Sequence, residues 1–76
     1  MATVEIEYCV PCGFLERAED IQHTLLTNFG AELDRVALVT GDHGVLEVRL
    51  NDETVFDKGD DEYDVDGIAR EVRSRL

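Results

Sequence analysis

The hydrophobic rhythm of the chain changes abruptly at residues 9–13, and that change constrains the fold more than any other feature. Val4, Ile6 and Tyr8 alternate with Thr3, Glu5 and Glu7, the two-residue period of a strand with one face covered. Cys9-Val10-Pro11-Cys12-Gly13 interrupts that alternation, with Pro11 and Gly13 as chain breakers. Beyond it the apolar residues Phe14, Ala18, Ile21, Leu25 and Phe29 recur at helical spacing, flanked by Leu15, Gln22 and Leu26. Glu16, Arg17, Glu19 and Asp20 fall on the outward side. A strand therefore feeds directly through two cysteines into an amphipathic helix, which begins at Gly13 or Phe14 and stops near Gly30.

The rest of the chain reads as three strands and a closing helix. Arg35–Thr40 carries the continuous apolar run Val36-Ala37-Leu38-Val39, the pattern of a strand buried on both faces. A turn over Gly41–Gly44 leads to a third strand, Val45–Leu50, with Leu46, Val48 and Leu50 inward and Glu47 and Arg49 outward. Asn51-Asp52 is a tight-turn pair, and Glu53–Asp57 forms a fourth strand. Lys58–Glu62 is an acidic loop. Asp64 stands where a helix cap is favoured, ahead of the stripe Val65, Ile68, Ala69, Val72 and Leu76. Gly67 is a poor residue for that helix, costing ~1 kcal/mol against Ala. The order β-α-β-β-β-α implies a parallel first pair joined by a crossover, then antiparallel neighbours across the two short links. The expected fold is α/β (α+β): one domain over residues 1–76, with a mixed four-stranded sheet and two helices on one face or split between faces.

Composition narrows the function. Eighteen Asp and Glu face seven Lys and Arg, for a net charge of −11, and only Lys58 is a lysine. Such a surface repels phosphate backbones and anionic lipid, which argues against nucleic-acid and membrane partners. Dispersed acid with scarce lysine resembles proteins of salt-loving archaea, where high salt screens self-repulsion. No stretch approaches the ~20 apolar residues that cross a bilayer, and the N-terminus lacks a leader pattern, so a cytosolic location is expected. In a reducing cytosol, two cysteines separated by two residues point to redox chemistry, redox sensing or metal binding. Zinc would need further ligands, and neither His23 nor His43 has ligand spacing. No cofactor is implied. His43 is expected as a polar turn residue, Tyr8 as core or a partner of the Cys9 sulfur, Tyr63 as packing at the helix entry, and Asp60-Asp61-Glu62 as a solvated face.

Cys9 and Cys12 are the candidate catalytic residues. Thiolates exchange with disulfides, and a helix N-terminus favours the thiolate, which singles out Cys12 as the attacker and Cys9 as the resolving thiol. Pro11 stiffens the turn, and Gly13 relieves crowding around the sulfurs. The partners would be protein thiols and disulfides or a low-molecular-weight thiol. A redox-gated protein-binding module and a metal- or sulfur-handling protein stay open as alternatives.

Val4-Glu5-Ile6-Glu7-Tyr8-Cys9-Val10-Pro11-Cys12-Gly13-Phe14 resembles the opening of the selenoprotein W/Rdx family, and Gly44-Val45-Leu46-Glu47-Val48 its second marker. Phe56-Asp57-Lys58 before a terminal helix is similar too. The resemblance implies a thioredoxin-like fold and thiol-redox activity. Cys12 matches the position held by selenocysteine in some relatives, which implies that the second position is the more reactive. It also implies a departure from classical thioredoxins, whose first cysteine attacks and whose site faces a cis-proline. Here the only proline is Pro11, and the loop expected to face the motif is Gly41–Gly44.

Overall fold

The computed structural model describes residues 2–76. Met1, part of the N-terminus read above for a leader, lies outside them. The elements are β1 (Thr3–Cys9), α1 (Leu15–Phe29), β2 (Arg35–Gly41), β3 (Leu46–Leu50), β4 (Glu53–Asp57) and α2 (Val65–Ser74). The expected order and mixed four-stranded sheet are present, with strand order β2-β1-β3-β4. β1 runs parallel to β2 and antiparallel to β3, and β3 pairs antiparallel with β4.

Alternation in β1 and β3 decides which side of the sheet is covered. Val4, Ile6, Tyr8, Leu46, Val48 and Leu50 are buried and share a face with Phe56. Ala18, Ile21 and Leu25 of α1 and Ile68, Ala69 and Val72 of α2 complete the core with them. Each fully buried aliphatic side chain contributes about 1.5–3 kcal/mol. The two helices pack against each other on that one face, so the opposite face of the sheet is open. No helix among the described residues is long and apolar enough to cross a membrane.

Two expectations about β2 are corrected. It is an edge strand rather than one buried on both faces: Val36 is buried, but Ala37, Leu38 and Val39 are only half-buried. Its branched run suits pairing with β1 and packing under α1, where the Gln22 amide donates to the Val36 carbonyl at 2.8 Å. Nor do β2 and β3 form a hairpin. β1 lies between them, so the short link crosses two strand spacings, about 9–10 Å, over the C-terminal end of β1. Link length alone cannot distinguish a hairpin from this strap.

Polar pairs finish the sheet and helix ends. On the open face Glu7 and Glu47 stand directly opposite each other in register, an arrangement that repels. Arg49 bridges them, with Nη1 3.3 Å from Glu7 and 2.8 Å from Glu47, and reaches Glu5 at 3.7 Å. Burial works against its charge, but the Glu7 hydrogen bond and the three carboxylates outweigh that and hold the guanidinium above its ordinary range. Asn51 and Asp52 both have positive φ (51° and 71°), as a tight hairpin turn requires. Asp64 occupies the α2 cap position but makes no side-chain cap hydrogen bond. Its carboxylate lies over Gly67, where an added Cβ would sit 3.0 Å from Oδ2. The awkward glycine is thereby explained by the room it leaves.

Candidate functional site

The strap and the cysteine turn hold each other. The Cys9 N–H donates to the Val45 carbonyl at 2.7 Å and the Val10 N–H to the Gly41 carbonyl at 3.1 Å. These two bonds bind the end of β1 to both ends of the crossing link, as the expectation for Gly41–Gly44 required. Gly41, in register with Cys9, has no room for a side chain: a Cβ there would lie 2.7 Å from Glu7 Oε2 and 2.9 Å from Val45 Cγ1. Across the strap, Val45 N–H donates to Asp42 O at 3.3 Å, with His43 and Gly44 at φ 59° and 78°.

Beyond Cys9 the chain reverses tightly. Gly13 N–H donates to Val10 O at 3.2 Å, closing a turn with Pro11 at its first central position and Cys12 at its second. Phe14 N–H then donates to Cys9 O at 3.4 Å. Gly13 has φ +76°, and nothing lies within 4 Å of where its Cβ would be. Its role is therefore backbone conformation, not the relief of crowding read from the sequence. Helix α1 starts at Leu15 with Phe14 as the cap residue, one to two residues later than expected. Cys12 thus stands two residues ahead of the cap, and the helix dipole, which fades within a turn, acts on it from farther away.

Cys9 and Cys12 are joined as a disulfide with Cα atoms 5.3 Å apart, within the ordinary range for such a bond. The two sulfurs belong to different environments: Cys9 is 0% exposed, whereas Cys12 is exposed in the turn. Val10 (51% exposed), inside the turn between the cysteines, and Leu15 (45%), the first residue of α1, are exposed apolar side chains. His43 is 92% exposed and 3.4 Å from Asp42, at the strap's tip. His23 is exposed on α1. Among the described residues no three His, Cys, Asp or Glu side chains are grouped as a metal site. Tyr8 faces the core on the helix side of β1, and Tyr63 packs edge-on against Phe56 at 6.4 Å between ring centres.

One group at the site was missed in the sequence. Lys58 Nζ lies 5.4 Å from the centre of the Phe14 ring, and the Arg17 guanidinium 5.1 Å from it. Arg17 is also 5.2 Å from the Tyr63 ring. Burial, with Asp20 adding to it, pushes the Tyr63 phenol above its ordinary range, and Arg17 offsets part of that. The only advance signal was that Lys58 is the sole lysine in the chain.

The Rdx family model matches residues 3–74. A protein of solved structure from Bordetella parapertussis is 32% identical, with a TM-score of 0.93 over 99% of this chain and 98% of that one. The selenoprotein W-related protein from Vibrio cholerae is 25% identical, with a TM-score of 0.89 over 97% and 95% of the two chains. No curated protein is similar at a significant level.

Proposed function

The chain belongs to the Rdx family, and from that premise we propose that it is a thiol–disulfide redox protein in which Cys12 exchanges with partners and Cys9 resolves. The Cys12 thiolate attacks one sulfur of an oxidised partner, forming a mixed disulfide and releasing the partner's other sulfur as thiolate. The Cys9 thiolate then attacks the Cys12 sulfur, releasing the partner thiolate and closing the Cys9–Cys12 bond. Two electrons pass from the dithiol to the partner disulfide. A second thiol system, attacking at Cys12 and expelling Cys9, returns the pair to the dithiol. The partners are protein disulfides or a low-molecular-weight thiol. The working compartment is a reducing cytosol, and the acidic surface suits a salt-rich one.

The observation that carries this reading is the asymmetry of burial. Exchange needs an approach to the attacked sulfur in line with the breaking bond, and exposed Cys12 offers it while enclosed Cys9 does not. Equilibration in defined thiol redox buffers tests the reading. The pair should titrate reversibly, with a potential between about −120 and −270 mV, the span of working thiol–disulfide proteins. A pair still oxidised far below about −300 mV would be a static cross-link.

A second reading rests on Val10 and Leu15. An exposed apolar residue within the disulfide turn and another three residues after Cys12 suit a docking face whose shape the redox state changes. That module would bind one partner in one redox state without passing electrons to it.

A further inference from the structure

We infer that Arg17 and Lys58 select the substrate of this pair, favouring disulfides that carry a carboxylate close to the reacting sulfur. The inference rests on the redox reading above and names the class of substrate it acts on.

The seven basic residues of the chain are not distributed alike. Arg49, Arg70 and Arg75 are each paired with carboxylates. Arg35 begins β2 and Arg73 lies near the end of α2, both at the end of the sheet away from the cysteines. Arg17 and Lys58 alone converge beside the motif, on one aromatic ring, and among the described residues neither is paired with a carboxylate. That is unusual for a chain of net charge −11.

Two of the acids near Lys58 in sequence, Asp57 and Asp61, bond the loop's own backbone, and among the described residues no ion pair joins Lys58 to Asp57, Asp60 or Asp61. Asp57 Oδ1 accepts the Gly59 N–H at 2.9 Å, and Asp61 Oδ2 accepts the Asp57 N–H at 3.2 Å. The Asp60 and Asp61 N–H groups both donate to the Asp57 carbonyl. The Lys58 N–H in turn donates to Leu46 O at 3.0 Å, fixing the loop to the start of β3. A closed acidic loop thus presents a free ammonium over Phe14. That ring belongs to the residue whose own N–H is bonded to Cys9.

An anionic group beside the scissile bond would approach these two cations as Cys12 attacks. The electron pair of the Cys12 thiolate forms the new S–S bond, the leaving sulfur departs as thiolate, and the carboxylate stays unchanged throughout. In a near-aqueous medium a unit charge about 10 Å from a developing or approaching one alters a rate about twofold, so two such cations alter it about fourfold. The effect fades in strong salt, where the screening length is about 3 Å at 1 M.

The test measures exchange between the fully reduced protein and three disulfides of matched length: 3,3′-dithiodipropionate, bis(2-hydroxyethyl) disulfide and cystamine. At low ionic strength R17Q/K58Q should react about fourfold more slowly with the dianionic disulfide, unchanged with the neutral one and faster with the dicationic one. The R35Q/R73Q variant loses the same net charge at the far end and should keep the wild-type order, and R17K/K58R should restore it. In 1 M salt the difference should vanish. Equal effects of the two glutamine doubles, or equal slowing with all three disulfides, would overturn the selection. Failure of every form to react with the neutral disulfide would instead overturn the redox reading on which it rests.

Discussion

Gly13 and Cys12 are neighbours constrained by different physics. At φ +76° an L-residue crowds its own carbonyl, at a cost of roughly 1–2 kcal/mol. Because nothing surrounds the missing Cβ, Gly13→Ala should lose about that much stability by chemical denaturation, and Gly13→Asn less, since Asn tolerates this region. Equal stability in all three would remove the conformational role. The glycine was legible in the sequence as punctuation, but its reason was not, because φ is fixed by the turn that Cys9 and Val10 anchor. The same holds for the cysteines. Their spacing marked them as a candidate site, whereas the burial of one and exposure of the other depends on the fold around them, which no local pattern announces. The preference for Cys12 now rests more on access than on the helix terminus.

Periodicity made every element legible, with boundaries shifted by a residue or two, and the parallel β1–β2 pair followed from the helical crossover. What escaped was the place of β2. Its apolar run suited a buried strand, yet the strand order puts it at the sheet edge and both helices cover one face only. The four-residue link looked like a hairpin because nothing in its own residues records that β1 runs beneath it. This strap predicts a specific sensitivity. Gly41→Val would drive a side chain into Val45 and Glu7, destabilising the domain by about 1–3 kcal/mol as overpacking does. Amide exchange at Cys9 and Val10 should accelerate most, since their hydrogen bonds end on the strap. Uniform acceleration across the sheet would contradict that. On the open face, Arg49→Met would leave Glu5, Glu7 and Glu47 facing one another in a half-buried setting. A loss of about 1–3 kcal/mol at neutral pH and low salt is expected from comparable unpaired groups, shrinking as salt screens them. A loss that salt does not change would assign Arg49 to packing instead.

At the scale of the whole molecule, net charge dominates. A domain of 76 residues carrying −11 is weakened by self-repulsion. Thermal unfolding should therefore shift upward with salt. For a domain of this size about 1 kcal/mol moves Tm by roughly 4–8 °C, so a rise of several degrees between dilute buffer and molar salt is the expected result. A flat or falling Tm would show that the acidic surface is tolerated without screening. The charge was fully legible in composition. The placing of Arg17 and Lys58 on one ring beside the cysteine turn, without a carboxylate partner among the described residues, was not, because it depends on how the loop after β4 folds against α1.

The division of labour within the cysteine pair is tested most directly by trapping. Reduced Cys9→Ser and Cys12→Ser are each mixed with bis(2-hydroxyethyl) disulfide and followed by intact mass. Cys9→Ser should accumulate a stable mixed disulfide on Cys12, while Cys12→Ser should react far more slowly through its enclosed Cys9. Rapid trapping by Cys12→Ser with none by Cys9→Ser would reverse the assignment.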